Sequence, residues 1–336
     1  MKKAIEAVLI TSGLLAATAT AQSINAAGAT FPAPIYQKWF NDYSKVKSGV
    51  QVNYQSIGSG GGIRQLTEGT VDFGASDMPM TDDQLSKLKV KALHFPTVLG
   101  GLVPTYHVEG VSGDLKFSPD TLSGIFLGEI KKWDDPKLVK DNPSAKLPNK
   151  DITVVHRSDG SGTSFVFTDY LSKVNSVWKS KVGAGTSVSW PVGLGGKGNE
   201  GVAGLVQQTP NSIGYVELLF AVQNKLPYGF MQNAAGNFLK ADLKTVTEAA
   251  AGAAKSMPAD FRVSITNAPG AQAYPISSFT WLLIPSKIED ASKRAAIKEF
   301  LAWMLTTGQG AAAGLSYAPL PKSVVAMEQK QIAQIQ

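Results

Sequence analysis

The sequence predicts an α/β protein of two lobes, on three observations. Helical and extended apolar patterns alternate along the chain instead of clustering by type. Three loops rich in glycine and hydroxyl side chains each lead into a helix. Two segments, Phe95 to Gly101 and Ala273 to Ser277, combine strand formers with proline and read as crossings between lobes, so that the C-terminal region returns to the first lobe. The expected organisation is residues 1–21 as an export signal, 22–97 and 276–336 as one lobe, and 98–275 as the other.

The elements follow in order. Lys2-Lys3, the apolar stretch Ala7 to Ala17 and the small-residue step Ala19-Thr20-Ala21 have the form of a cleavable secretory signal. That stretch is shorter than the roughly 20 residues that span a bilayer. Ile35/Tyr36, Trp39/Phe40 and Tyr43 recur at helical spacing behind Pro32-Ala33-Pro34, with Thr30 as N-cap. Val50 to Tyr54 alternates as a strand, Ile63 to Leu66 is a short helix, and Val71 to Ser76 is a buried strand. Ile152 to Val155 is a further strand, followed by a helix carrying Phe165, Tyr170, Leu171, Val174 and Trp178. The Ala-rich patch 249–254 fits a helix face. Ile297, Phe300/Leu301 and Met304/Leu305 form a last amphipathic helix, with Gly308 just past its end.

Composition narrows the function classes. The 336 residues are 43% hydrophobic and carry a net charge of +6, with 3 His and no Cys. Without cysteine there is no disulfide, thiolate metal site, catalytic thiol or lipid-modified N-terminal cysteine. The expected product is therefore exported to the periplasm without a lipid anchor. So few histidines argue against a His-rich metal centre, and no metal or cofactor is expected. Lysines are scattered and not clustered with exposed aromatics, which argues against nucleic-acid binding.

The chemistry concentrates at the three loop-to-helix junctions, Gly28 to Pro32, Gly58 to Gly62 and Arg157 to Thr163. Each places hydroxyls and glycine-exposed amides at a helix N-terminus, where unpaired N–H groups favour an anion. Arg157 adds a fork of donors suited to a tetrahedral oxyanion. Asp159, two residues on, either orients that guanidinium or caps the following turn. Asp77 has the wrong sign for an anion site unless it accepts a proton from the ligand. Phosphate retains a proton at neutral pH and sulfate does not, so a facing carboxylate would favour the first. Taken alone, Asp77 also fits a turn cap before Met78-Pro79.

Ala27 to Pro34, Val71 to Asp77 and Asp159 to Phe165, with Ile130 to Asp135, Gly193 to Gly198 and Leu320-Pro321, resemble the periplasmic phosphate-binding proteins of bacterial phosphate ABC transporters along essentially the whole chain after residue 21. The resemblance implies a type II periplasmic-binding-protein fold, two α/β lobes joined by hinge crossings with the ligand cleft between them. It implies capture of inorganic phosphate and hand-over to a membrane permease, by a monomer that is not an enzyme. The family's phosphate ligands fall on Thr30, the Phe31 amide, Ser59, Asp77, Arg157, Ser161, the Gly162 amide and Thr163, with Asp159 pairing the arginine. Two departures stand out: Ala26 where Gly is common, and Gly60 for a frequent Ser, a change that would loosen its loop.

Rival readings are weaker. Gly193-x-Gly195-x-x-Gly198 with Glu217 matches a dinucleotide fingerprint, but Trp190-Pro191 precedes it and the expected structure there is a tight loop. A phosphate-ester hydrolase with Ser161 as nucleophile is the main alternative; residue 158 is Ser, so the Gly-x-Ser-x-Gly elbow fails, and His156 is the only base nearby in sequence. His94 and His107, set among apolar residues, are expected to be packed or surface histidines. A sulfate- or molybdate-binding protein would share the lobes and helix ends, but Asp77 opposes a proton-free ligand.

Overall fold

The computed structural model describes residues 22–111 and 113–336; the expected export signal lies outside them. Its strands are β1 (Gln22–Gly28), β2 (Val50–Ser56), β3 (Phe73–Ser76), β4 (Ala92–His107), β5 (Lys116–Phe117), β6 (Thr153–Arg157), β7 (Leu194–Gly196), β8 (Ser212–Glu217), β9 (Phe230–Gln232), β10 (Phe238–Leu239) and β11 (Ser277–Pro285). Eight of them form one sheet in the order β2-β1-β3-β11-β4-β8-β6-β7, and β10-β9-β5 form a small second sheet.

Strand β4 organises the molecule. Over Ala92 to Gly101 it pairs antiparallel with β11, and over Leu102 to His107 it pairs antiparallel with β8. Parallel strands then extend each half, β3, β1 and β2 beyond β11, and β6 and β7 beyond β8. The second crossing runs beside the point where β4 changes partner, because Leu102 N–H donates to Ile276 O at 2.8 Å. A near-continuous apolar run suits a strand covered on both faces, and β4 is buried from Ala92 to Tyr106.

The helices follow the apolar periodicity, with informative exceptions. Ala33–Val46 buries Ile35, Tyr36, Trp39, Phe40 and Tyr43. Its N-cap is Pro32, with no side-chain cap, so Thr30 is not the cap that its position suggests. Trp178 lies on a separate helix, Ser176–Lys181, because the preceding helix Gly162–Val174 stops at Asn175. The Asn175 side chain accepts from Trp178 N–H at 2.8 Å, capping the new helix. Gly308 opens a 3₁₀ turn instead of ending helix Ala291–Met304, and its carbonyl accepts from the Trp39 indole at 2.7 Å.

The segment 193–198 is not the loop expected from Pro191. Leu194–Gly196 forms the edge strand β7, and helix Gly198–Gln208 starts directly after it. Its glycines serve close packing: a side chain at Gly193 would come 2.7 Å from Val154 O, and one at Gly196 would meet the backbone of Gly201 and Val202. Glu217 is buried and caps the next helix through Leu219 N–H, so the fingerprint's acidic residue is engaged in structure.

Helix Ser59–Glu68 lies hard against the first half of the sheet. A Cβ at Gly62 would come 2.6 Å from Ala27 O and from Gly28 Cα. Alanine gains about 1 kcal/mol of helix propensity over glycine, but backbone overlap of this kind costs typically about 1–3 kcal/mol. Overlap wins here, since backbone on both sides cannot swing away. Gly62→Ala is expected to lower stability by about 2 kcal/mol, read as a fall in urea midpoint at unchanged slope; an unchanged midpoint would show that the helix shifts freely.

Candidate anion-binding site

The three junctions converge where β4 changes partner. Thr30 and Phe31 follow β1, Ser59 opens helix Ser59–Glu68 behind Gly58 (φ +87°), and Asp77 follows β3. From the other half of the sheet, Arg157 ends β6 and Ser161 caps helix Gly162–Val174. Thr30, Phe31, Ser59, Asp77, Arg157, Ser161 and Thr163 are each 3% exposed or less. The two sets touch. Gly60 N–H donates to Gly160 O at 2.8 Å, and any side chain at Gly162 would collide with Ser59 Oγ and come 2.7 Å from Asp77 Oδ2. Gly60 therefore permits a close backbone approach, where the sequence suggested only a looser loop.

Arg157 is aimed by Asp159. Its Nε donates to Asp159 Oδ1 at 2.8 Å and its Nη2 to Oδ2 at 2.5 Å, a bidentate fork that resolves Asp159 as the orienting partner. Burial alone would raise the Asp159 carboxyl, but Arg157's hydrogen bonds and charge, with the Gly198 N–H, hold it below its ordinary range. Nη1 of Arg157 has no partner although it is buried.

Asp77 presents the complement. Its Oδ1 accepts from the Thr280 hydroxyl at 2.8 Å, while Oδ2 is buried and unpartnered. The turn-cap alternative does not hold, because Ser76 Oγ accepts from Met78 N–H at 3.0 Å and caps that turn itself. Burial pushes Asp77 up to about 7, against the lowering effects of Thr280, Arg157 and Ser59. An unpaired buried polar atom is costly, and here one donor and one acceptor are left unpaired in the same closed region.

The serine hydroxyls are polarised by the framework. Ser59 Oγ accepts from Asp77 N–H at 3.1 Å, and Ser161 Oγ accepts from Ser164 N–H at 2.9 Å. With one lone pair of each engaged by the backbone, each hydroxyl keeps its O–H to donate. The site thus offers several donors and, facing them, the free carboxylate oxygen Asp77 Oδ2. No base is bonded to Ser161 Oγ among the described residues. His156 instead stacks on Trp190 at 4.8 Å and places Nδ1 3.0 Å from Arg157 O. His94 is buried, accepts from Met80 N–H through Nε2, and is pushed down to about 4 chiefly by burial. No cluster of three or more His, Asp or Glu suited to a metal occurs among the described residues.

Three participants have no local sequence signal. Asn199 donates through Nδ2 to Thr30 Oγ1 (2.8 Å) and Thr163 Oγ1 (3.1 Å). Thr280 holds Asp77 from β11, and the Tyr317 hydroxyl donates to Phe31 O at 2.7 Å. Of the three, Asn199 alone adjoins a motif, immediately following Gly198.

A model of the PBP superfamily domain matches residues 15–307. The phosphate-binding protein PstS of Haemophilus influenzae is 47% identical over 308 residues, covering 91% of each chain. Among solved structures, a high affinity periplasmic phosphate-binding protein (PfluDING) bound with phosphate superposes with a TM-score of 0.74 at 21% identity, covering 92% of this chain and 93% of that one. A putative phosphate ABC transporter substrate-binding protein from Clostridium perfringens, with bound phosphate, gives 0.65 at 18% identity, covering 89% of this chain and all (100%) of that one. These likenesses establish the fold as type II periplasmic binding protein.

The Asp77 environment carries a stability signature. A carboxyl raised from 3.8 to about 7 destabilises the fold progressively as pH climbs through that window, because the unfolded chain releases the proton first. Asp77→Asn removes that penalty. In anion-free buffer the variant is expected to melt higher than the parent at pH 8 and equally at pH 4; a constant difference across this range would place the cost of Asp77 elsewhere.

Proposed function

We propose a function from a plain premise: this chain belongs to the PstS family of phosphate-binding proteins within the PBP superfamily. On that reading it captures inorganic phosphate in the cleft between two lobes and delivers it to the permease of a phosphate ABC importer, working in the periplasm after export and catalysing no reaction. The observation that carries this is the pairing of two unpartnered buried atoms, Asp77 Oδ2 and Arg157 Nη1, among serine hydroxyls that already accept one framework bond each and have their O–H free to donate. The complement of such a set is an anion with many acceptors and one proton. Singly or doubly protonated phosphate fits; sulfate lacks the proton.

The ligand set assigned is Thr30, the Phe31 amide, Ser59, Asp77, Arg157, Ser161, the Gly162 amide and Thr163, with Asp159 behind the arginine. Lobe one is residues 22–97 with 276–336, and lobe two is 98–275. The change of partner along β4, beside the Ile276 crossing, supports a hinge close to those bounds. Binding would favour the closed form because the ligand touches both lobes at once. No helix among the described residues is long and apolar enough to cross a membrane, in keeping with a permease supplied by another chain. The working form is read as a monomer without metal or nucleic acid.

A raised Asp77 sharpens the selectivity argument. With its carboxyl near 7, Asp77 lies close to the second ionisation of phosphoric acid, so one proton is shared between groups of similar affinity. Above that pH Asp77 is an acceptor and repels sulfate; below it the neutral acid can donate to sulfate. Calorimetry on phosphate-stripped protein is expected to give one phosphate per chain, with sulfate weaker by about 10⁴-fold at pH 8. The gap is expected to narrow towards pH 5.5, and in Asp77→Asn it is narrow throughout. Equal affinity for both anions at pH 8 would refute the assignment. Arsenate, similar in shape and protonation, is expected to bind.

Arg157→Ala removes a buried charge-assisted contact and is expected to weaken phosphate by at least about 100-fold. Affinity equal to the parent would take Arg157 out of the site. Steady turnover of a chromogenic phosphate ester that disappears in Ser161→Ala would favour the hydrolase reading instead.

A further inference from the structure

We propose that Asn199 is a latch between the two halves of the sheet and the residue that points the Thr30 and Thr163 hydroxyls at the ligand. The proposal rests on the phosphate site described above but uses bonds that form without any ligand. Asn199 is fully buried at 0% exposure in the first turn of helix Gly198–Gln208. Its Oδ1 accepts from Glu217 N–H at 2.9 Å, which fixes the amide's orientation, since the opposite flip would set donor against donor. Both Nδ2 hydrogens are then committed outward, one to Thr30 Oγ1 at 2.8 Å and the other to Thr163 Oγ1 at 3.1 Å. The Asn199 backbone N–H adds a second bond to Thr30 Oγ1 at 3.3 Å.

Two consequences follow from the donor count. Thr30 Oγ1 accepts twice, so both its lone pairs are engaged and its hydroxyl can only donate. Thr163 Oγ1 accepts once and is biased the same way. A hydroxyl free to rotate can turn either its lone pair or its hydrogen inward; Asn199 removes that ambiguity for Thr30 as the halves close, with or without ligand. Thr30 follows β1 in one half of the sheet, whereas Asn199 and Thr163 belong to the other. The Asn199–Thr30 bonds therefore join the halves directly, alongside Gly60 N–H to Gly160 O. They also reach the hinge, because Glu217 stands opposite Leu102, the first residue of β4 to pair with β8.

A ligand-independent latch raises the population of the closed form and holds the ligand in once bound. Its loss should act more on release than on capture. The chain has no cysteine, so a single introduced pair is uniquely addressable. Val46 and Val139, at 67% and 40% exposure, lie outside the site and one in each half. Val46→Cys/Val139→Cys carrying a fluorophore pair would report the separation of the halves with and without inorganic phosphate.

In that background Asn199→Ala is expected to weaken phosphate by about 10- to 100-fold, mostly through faster release, and to lower the closed fraction of phosphate-free protein. Asn199→Asp keeps the volume and the Glu217 contact but turns two donors into acceptors, so it is expected to lose more affinity than Asn199→Ala; Asn199→Ser substitutes should the alanine variant not fold. In the Thr30→Val background Asn199→Ala should cost clearly less than in the parent, as expected of a residue that acts through Thr30. A lowered melting temperature with release rate and closed fraction matching the parent would overturn the latch. Failure of the parent to bind phosphate would instead overturn the site reading, and the phosphate-free closed fraction would still judge the latch.

Discussion

The Arg157–Asp159 fork is the interaction on which the rest of the site depends. An isolated guanidinium in a buried position is costly and free to turn; fixed on two nitrogens by one carboxylate, it holds its third nitrogen, Nη1, unpartnered and in a set direction. The same Asp159 Oδ1 accepts from Gly198 N–H at 3.1 Å, so the fork also seats the first turn of the helix that carries Asn199. Strand β6 and the helix after β7 are thereby registered on one carboxylate.

What could be read in the sequence was chemistry that is local in the chain. Glycine and hydroxyl residues before a helix announce an N-terminus with free amides, and Arg157 and Asp159 lie two residues apart, so their pairing needed no tertiary knowledge. Asp77 was legible by its sign. What escaped depends on contacts distant in sequence: Thr280 on β11 holds Asp77 from 203 positions away, and Tyr317 holds the Phe31 carbonyl from 286 away. Thr30 shows the same limit from the other side. A threonine before a proline-led helix reads as a cap, yet its hydroxyl is taken by Asn199. The segment 193–198 departs from the expected loop because Pro191 argues only against a central strand; an edge strand of three residues, ending where the helix begins, escapes that rule.

The site is held in a state that favours function over stability. Asp77 and Glu217 are both fully buried, both raised by burial, and each keeps one unpartnered oxygen. Around them the fold contributes dense aromatic packing. Phe167 and Tyr215 stack at 4.2 Å, and the Tyr215 hydroxyl both accepts from Arg157 N–H and bonds Ser164 Oγ. The apolar core thus reaches directly to the backbone of the arginine, giving a charged site rigid walls.

Strand β4 has a mechanical meaning beyond its place in the sheet. A strand bonded to β11 along one stretch and to β8 along the next cannot let the two halves slide past one another without breaking a ladder. Its paired strand changes between Gly101 and Leu102, and a bend of β4 is least opposed there. On the proposed hinge reading, relative movement of the halves would be confined to rotation about one line. A partner touching both rims would then sense an angle, and that one coordinate could tell it whether the cargo is aboard.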